Sequence, residues 1–535
     1  MADPAMVMGI ETEYSICAQR ASRYEHEAAL VRATRALCVE MRNAPEIMGS
    51  ILPMTMHHAC DTPTHVSYCA VMQHISNGSR YYLDGTHPEL STAECQNPRE
   101  VVLWDAAGER IMQMAADLAN TQGGLEYPVV MYKKTMDGHG HTWGCHENYC
   151  ITPQLFHALV IESKVVAEQR TVATWLVVRQ LLTGAGRVLS DGDGPWCAFQ
   201  ISQRADHIMK FRNQETMRNR PVIQQRNEAL ANADGWRRFH VICGDANLCQ
   251  WSTYIKMSLT GLLLLLWQEV DPRQHPPLPI FDAEYPQIMK MISHESDLNA
   301  KYPVRMNYGR AKLGEKIYMT AADILCRYTA ALSEFAKART WSSPEEAASY
   351  RESSERAHWA AQLLYEHQWR ELYGWLDWPT KRIVIEEYLR RKGKKWSDIN
   401  TDHDLLKRIK TLGDYMYTTL NQENSMIARL RRAGIMRDVV KSSQIARAIL
   451  TPPPGRASQR GLLLEAYGSF CELAEWQRVS FTQDEYRVTV WLDNPFGCPD
   501  ASFRAIVARA KTPLDFTLAV GQSSLDGVRL EAKRR

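Results

Sequence analysis

Met8-Gly9-Ile10-Glu11-Thr12-Glu13-Tyr14-Ser15 reads as a β-strand. Ile10, Thr12, Tyr14 and Ile16 alternate with Glu11, Glu13 and Ser15, the period of two that a pleated chain imposes. Side chains two apart share a face, so the Glu11 and Glu13 carboxylates point the same way, about 7 Å apart. Like charges side by side on a sheet are destabilising, and a cation between them removes that penalty. Oxygen donors at this spacing suit a hard ion such as Mg²⁺, which carboxylates and substrate phosphates commonly hold together. Two solvated glutamates on an edge strand would satisfy the same pattern.

A second stretch, Gly78-Ser79-Arg80-Tyr81-Tyr82-Leu83-Asp84-Gly85-Thr86-His87-Pro88-Glu89, also begins as a strand, with Arg80, Tyr82 and Asp84 on one face until Gly85 breaks it. A cation, a phenol and a carboxylate projecting together make a phosphate, metal and nucleophile set. Glu11 to Tyr14, this Arg-x-Tyr-x-Asp strand and His87-Pro88-Glu89 resemble the enzymes that handle Pup, the prokaryotic ubiquitin-like protein. That family contains the Pup ligase and the depupylase/Pup deamidase. Further blocks resemble its depupylase branch: Asn97-Pro98-Arg99 through Trp104-Asp105, Ala107-Gly108-Glu109-Arg110 and Gly144-Cys145-His146-Glu147-Asn148-Tyr149. Gln200-Ile201-Ser202-Gln203-Arg204, Arg238-Phe239-His240 through Asn247, and Leu376-Asp377-Trp378-Pro379 follow in the family's order.

The resemblance implies an α+β fold: a glutamine-synthetase-like large domain with a curved, mainly antiparallel sheet packed by helices, and a small C-terminal α/β domain. It implies ATP and Mg²⁺ as cofactors. By the same resemblance Glu11, Glu13, Tyr82 and Glu89 hold Mg²⁺, with His146 and His240 as further ligands, although imidazole prefers softer metals. Arg80, Thr92 and Trp476 resemble the family's ATP contacts, and Trp476 would place the nucleotide between the two domains. Arg204 and Arg226 resemble arginines near the γ-phosphate and the scissile bond, where guanidinium forks suit phosphate and carboxylate. Asp84 is the expected catalytic carboxylate, as nucleophile or as general base, with Arg204 stabilising the developing oxyanion. The implied partners are Pup or a Pup-like modifier and its conjugates, with an indirect link to a bacterial proteasome.

Composition is that of an ordinary globular protein. The 535 residues are 45% hydrophobic and 23% charged, enough for a substantial core and more than one domain. The formal charge of +2, from 63 basic and 61 acidic residues, gives no global pull toward nucleic acid or an acidic partner. The 13 cysteines are odd in number, lack a Cys-x-x-Cys pair and follow no secretory signal, so a reduced cytoplasm is expected. Gly261 to Trp267 is the most apolar run, far short of the roughly 20 residues that span a bilayer. His139, His141, Cys145, His146 and Cys150 offer zinc-type donors at a spacing that matches no standard zinc pattern.

Along the chain, residues 7–17 read as the first strand, 26–42 as a helix, 43–77 as a long active-site loop and 98–119 as a helix with Pro98 in the favoured first position. Strands are expected from 127 to 243 with helical breaks near 155–182, then mainly helices from 246 to 450, including 345–372 and 402–448. Strand phase places Gln200, Ser202, Arg204 and Asp206 on one face, and His146 and Asn148 opposite Glu147 and Tyr149. Gly184-Ala185-Gly186-Arg187 reads as a turn. Thr451-Pro452-Pro453-Pro454-Gly455 is the clearest linker, dividing a catalytic domain, 1–450, from a small one, 451–535.

Two features favour the depupylase branch, which removes Pup and deamidates its terminal glutamine: His87 stands three positions after Asp84, and 43–77 is long. Ser91-Thr92-Ala93-Glu94-Cys95 is more ligase-like, and Gln225-Arg226-Asn227-Glu228 departs from the usual Thr-Arg-Asp-Glu. A ligase joining Pup to lysine through a γ-glutamyl phosphate, and a non-catalytic nucleotide-dependent binding protein, are the alternatives.

Overall fold

The structure is a computed structural model that describes residues 5–18, 72–75, 77–84, 87–122, 128–137, 140–189, 199–227, 235–295, 297–307, 313–498, 500–521, 525 and 527–534. Six strands form its central sheet: β1 (Met8–Glu13), β2 (Met72–His74), β3 (Arg80–Asp84), β4 (His87–Ser91), β5 (Cys145–Ile151) and β6 (Arg237–Val241). They lie in the order β6-β5-β1-β4-β3-β2, every neighbouring pair antiparallel. β1 is interior because Met8, Ile10 and Thr12 are buried on one face while Glu11 and Glu13 project from the other.

The apolar face packs on helices α1 (Pro98–Gln122), α2 (Ala167–Val178) and α3 (Gln250–Glu269). Met8, Ile10, Tyr149, Ile151, Phe239 and Val241 of the sheet share one core with Trp175, Leu176, Leu259 and Leu262. α3 is buried from Gln250 to Trp267, which explains a leucine run with no polar stripe. Among the described residues, no helix is long and apolar enough to cross a membrane.

A buried ion pair sits on this hidden face. Glu147 of β5 is 0% exposed and Arg179, just beyond α2, is 2% exposed. Arg179 donates through Nη1 and Nη2 to the two Glu147 oxygens at 2.7 and 2.6 Å. Tyr149 donates to Glu147 Oε2 at 2.7 Å, and Arg179 Nη1 to Thr260 Oγ1 at 2.8 Å. The pair ties sheet to helices at the strand that also carries His146 and Asn148.

Several expectations are revised. The run read as one strand breaks at Tyr14: Ser15–Ala18 is a separate strand paired with Val129–Tyr132. The expected helix 26–42 lies outside the described residues, as does most of 43–77, whose end at Met72–His74 is the sheet's edge strand rather than loop. The region 246–450 is mainly helical, as expected, but is interrupted by strands that the expectation lacked. Leu278–Phe281, Lys301–Asn307 and Leu313–Thr320 form an antiparallel sheet, its alternation obscured by Pro279, Pro303 and the charged exposed positions of the last strand. The span 402–448 is broken into short helices at His403–Lys410, Met426–Arg432 and Ser442–Ala448.

Among the described residues of 198–206, only Phe199–Gln200 is a strand. Buried Asp245 reshapes the rest, accepting from the Gln203 and Arg204 amides at 2.9 and 3.1 Å and from Ser202 Oγ at 3.0 Å. These bonds wind the chain into a turn, so Gln200, Ser202, Arg204 and Asp206 do not line a strand face. Residues 184–186 link the helix that ends at Thr183 to the strand Arg187–Val188, with Gly186 at φ 70°.

Beyond the proline-rich stretch, α4 (Arg456–Tyr467) precedes strands Cys471–Ala474, Arg478–Gln483, Tyr486–Leu492 and Val528–Arg534, paired antiparallel in that order. Leu463, Phe481, Val488, Val490, Phe503 and Phe516 build a hydrophobic cluster of their own.

Candidate active site

Residues directly opposite one another on neighbouring strands share a face. Glu11 stands opposite His146 and Ser91, Glu13 opposite Glu89, Tyr82 opposite Glu89, Arg80 opposite Ser91 and His240 opposite Asn148. The solvent-side face therefore presents Arg80, Tyr82, Asp84, Glu89, Glu11, Glu13, His146, Asn148, Arg238 and His240 together. The polar stripes expected from β1, β3, β5 and β6 do converge.

Their donor atoms fall into two groups. Glu11, His146 and His240 can each bring one atom within 4.8 Å of the others, and so can Glu13, Asp84 and Glu89. In the first, His146 Nδ1 and His240 Nε2 lie 3.4 and 3.7 Å from Glu11 Oε2, while Arg238 Nη1 lies 3.3 Å from Glu11 Oε1. In the second, the Gly144 amide donates to Glu13 Oε1 at 2.6 Å. A Cβ at Gly144 would come within 2.4 Å of both Glu13 Oε1 and His146 Nε2, so glycine keeps the space between the two groups open. Tyr82, whose hydroxyl accepts from Ser91 Oγ at 3.3 Å, borders the second group. Three carboxylates with a phenol fit a hard divalent ion such as Mg²⁺; the histidine-rich group is the less typical set for it.

The electrostatics express this crowding. Burial, then the charges of Glu11 and Glu13, push the Glu89 carboxyl well above its ordinary range. The Asp84 carboxyl is raised by loss of hydration and by Glu13, although its side chain is exposed. Burial would raise Glu11 too, but the His146 hydrogen bond and Arg238 outweigh it and hold the carboxyl well below its usual value. Burial, Arg238 and His146 keep His240 neutral at pH 7. A proton on Glu89 competes with a cation, and deprotonation as pH rises frees the ligand. Mg²⁺ affinity measured by calorimetry is therefore expected to rise with pH from 5.5 to 8, and Glu89→Gln to weaken binding and flatten that dependence. Equal affinity at both pH values in the unaltered protein would contradict it.

Beside the first group lies a cavity of about 90 Å³ walled by Gly9, Glu11, Thr92, Asn148, Arg238, Arg456 and Trp476, among others. Thr92 and Trp476 are thus brought together, as expected, between the sheet and the carboxy-terminal strands. Arg80 lies on the same face but does not line that cavity; its guanidinium sits 5.1 Å from the Tyr82 ring centre. Arg204 is 1% exposed and close enough to Glu13 for their charges to interact; burial lowers its pKa. Arg226 is exposed at the end of Pro221–Gln224, where its charge acts on His240.

The zinc alternative fails on geometry among the described residues. Cys145 and His146 are consecutive on β5 and point to opposite faces, and exposed His141 pairs with Asp137 at 2.6 Å. His139 lies outside the described residues.

Sequence reasoning placed Asn148 on the face of His146 without giving it a role and passed over Arg238, which is in phase with His240; Arg238 Nη1 donates to Asn148 Oδ1 at 2.9 Å. It also missed a buried knot at the cavity's edge. Glu94 accepts from Arg456 Nε at 2.8 Å and from Arg460 Nη2 at 2.7 Å, while Arg460 also donates to the carbonyls of Gly78 and Trp476. Burial alone would raise the Glu94 carboxyl, but the two arginines hold it down at about 2. Nothing local marks this set, because Glu94 stands more than 360 residues from both arginines.

The chain matches the family described as Pup-ligase protein over residues 6–480. It is 33% identical over 411 residues to the Pup deamidase/depupylase of Mycolicibacterium smegmatis, covering 76% of this chain and 74% of that protein. It is 31% identical over 438 residues to the Pup–protein ligase of Acidimicrobium ferrooxidans, covering 80% and 87%. The solved structure of the Pup ligase PafA in complex with ADP superposes with a TM-score of 0.67 at 24% identity, covering 87% of this chain and 96% of that one. With the antiparallel sheet, its acidic face and a match running through both, the chain belongs to the Pup-ligase family.

Proposed function

We propose that this protein is an ATP- and Mg²⁺-dependent depupylase, hydrolysing the isopeptide bond between the C-terminal glutamate of Pup, or a Pup-like modifier, and a substrate lysine. Deamidation of a C-terminal glutamine is the same chemistry with ammonia as leaving group. The observation that carries the reading is the exposed Asp84 carboxylate adjoining Glu13 and Glu89 on the sheet face that also walls the Thr92–Trp476 cavity. Identity to a depupylase supports it, as does the three-position step from Asp84 to its β4 partner His87.

In this reading Glu11, Glu13, Tyr82, Glu89, His146 and His240 would hold Mg²⁺, which neutralises phosphate charge and polarises oxygens when bound. Thr92, Arg80, Arg226 and Trp476 would contact the nucleotide, Trp476 offering an aromatic face and the arginines paired donors. Asp84 either takes a proton from water or itself attacks the γ-carbonyl carbon. Arg204 stabilises the oxyanion in either route. When Asp84 acts as base, collapse breaks the C–N bond and the proton taken from water passes to the departing lysine amine; when Asp84 attacks, collapse leaves a mixed anhydride on Asp84, the amine takes its proton from water, and a second water hydrolyses the anhydride.

The ligase is the second reading, favoured by the greater share of the ligase relative that aligns, 87% against 74%. One assay separates them: purified protein with Mg²⁺ and a Pup–lysine conjugate, or free Pup and a lysine protein, with and without ATP. Nucleotide-dependent release of Pup is expected. Net joining of the free components with ATP consumption would instead establish a ligase, and binding without either reaction a non-catalytic role.

A further inference from the structure

A second cavity, of about 380 Å³, shares no wall residue with the Thr92–Trp476 cavity or with either donor group. It lies between the helix His403–Lys410, the strand Arg187–Val188 and the segment that follows Val129–Tyr132. Four cations converge on it from those three elements: Lys134, Arg187, Lys407 and Lys410. Two carboxylates, Asp137 and Asp414, stand among them, and Asp137 is already engaged by His141 at 2.6 Å. Four cations against two carboxylates leave the wall positive, and the volume is in the range of small-ligand sites.

Lys134 is the group that most needs a partner. It is 5% exposed, yet its ammonium has neither an ion pair nor a hydrogen bond among the described residues. The charge rests instead over the rings of Tyr415 and Tyr132, 4.1 and 5.3 Å from their centres. Ring faces offset part of the lost hydration but accept no strong hydrogen bond, so the buried ammonium is completed only by an anion. A turn of π-helix, Thr411–Met416, sets Asp414 and Tyr415 on the wall. That conformation is rare and recurs at functional sites.

We infer that this cavity binds a small phosphate-bearing dianion. Ammonium groups meet a phosphate as point charges from any direction, and three of the four cations are lysines. A carboxylate is matched instead by a guanidinium fork, and the one guanidinium here, Arg187, already faces Asp206 at 3.7 Å. Met136, Leu406 and the Tyr415 ring supply an apolar wall for the body of a phosphate ester. Gln203 connects the cavity to the turn that carries Arg204. Its Oε1 accepts from the Thr135 amide and hydroxyl at 3.0 Å each, and its Nε2 donates to the Gly186 carbonyl at 3.0 Å. The site stands whichever reaction the acidic face performs.

Calorimetric titration tests it on the full chain, with Mg²⁺ and a non-hydrolysable ATP analogue present to keep phosphate out of the nucleotide cavity. The probes are inorganic phosphate and phenyl phosphate, in a buffer free of other polyvalent anions. One saturable site is expected for each, weakened about 10- to 100-fold by Lys134→Met, the range lost with one charge-assisted hydrogen bond. The double variant Lys407→Ser with Lys410→Ser, less buried than Lys134, should weaken it comparably and keeps the test open if Lys134→Met fails to fold. Lys511→Ser, which removes an exposed cation of the carboxy-terminal region, should change nothing. Tighter binding of the ester would identify a phosphate ester as the occupant, and tighter binding of phosphate the free ion; either result upholds the site. No saturable binding, an equal loss in Lys511→Ser, or unchanged affinity in the cavity variants would overturn it. So would displacement of phosphate by unconjugated Pup through the same lysines, since the cavity would then belong to a protein-binding groove.

Discussion

Asp84→Asn is expected to slow nucleotide-dependent release of Pup by about 10²- to 10⁴-fold, the range that one positioned acid–base group contributes. Asparagine keeps the shape and the β3 position of the side chain but neither takes a proton nor attacks as a carboxylate. The loss should not come from unfolding. Asp84 is exposed, and its charge adds to repulsion already felt by Glu89 and Glu13, so its removal should leave the melting temperature unchanged or slightly higher without Mg²⁺. Nor should nucleotide affinity fall, because Asp84 does not wall the Thr92–Trp476 cavity. Rates from a gel-based release assay, with calorimetric nucleotide titration alongside, decide the matter: an Asn variant within threefold of the parent would remove Asp84 from the chemistry.

The largest stability effect is expected on the other side of the sheet. Arg179→Met would leave Glu147 as a carboxylate with no cation at a position 0% exposed. Breaking such a pair from one side typically costs about 3–5 kcal/mol, most of it the burial of the stranded charge. Replacing both members with apolar residues of similar size, Arg179→Met with Glu147→Leu, should recover most of that loss, because the expense of desolvating two charges disappears with them. Tyr149 would then lack an acceptor at 2.7 Å, so recovery should be incomplete. The midpoint of urea unfolding reads all three variants. A single variant as stable as the parent would mean that the pair is relaxed by water or by a shift of β5. Since His146 lies on the reverse of the same strand, the single variant is also expected to weaken Mg²⁺ binding.

What could be read in advance was governed by distance along the chain. Period-two alternation located β1 and β3, and placed Glu11, Glu13, Tyr82, Asp84, His146 and His240 on a shared face, because strand phase is a local property. Arg204 was expected on a strand, and its phase argument failed because buried Asp245, some forty residues later, captures the local amides and bends the chain. The sheet of Leu278–Thr320 escaped notice for a different reason. Its strands carry prolines and an exposed charged face, so the hydrophobic alternation that announces a strand is weak. The division of the donors into two groups was beyond pattern reading altogether, since it depends on how far β4 and β5 stand on either side of β1.

The knot of Glu94 with Arg456 and Arg460 restricts how this protein can change over generations. Because the carboxylate comes from the sheet region and both guanidinium groups from α4, neither portion can be exchanged for that of a distant relative unless the matching residues travel with it. A chimaera joined in the Thr451–Gly455 stretch would inherit a carboxylate without its cations or cations without their carboxylate, together with a cavity missing one wall. The carboxy-terminal strands, though they have a hydrophobic cluster of their own, are therefore not a freely portable module but are inherited as one piece with the sheet they cover.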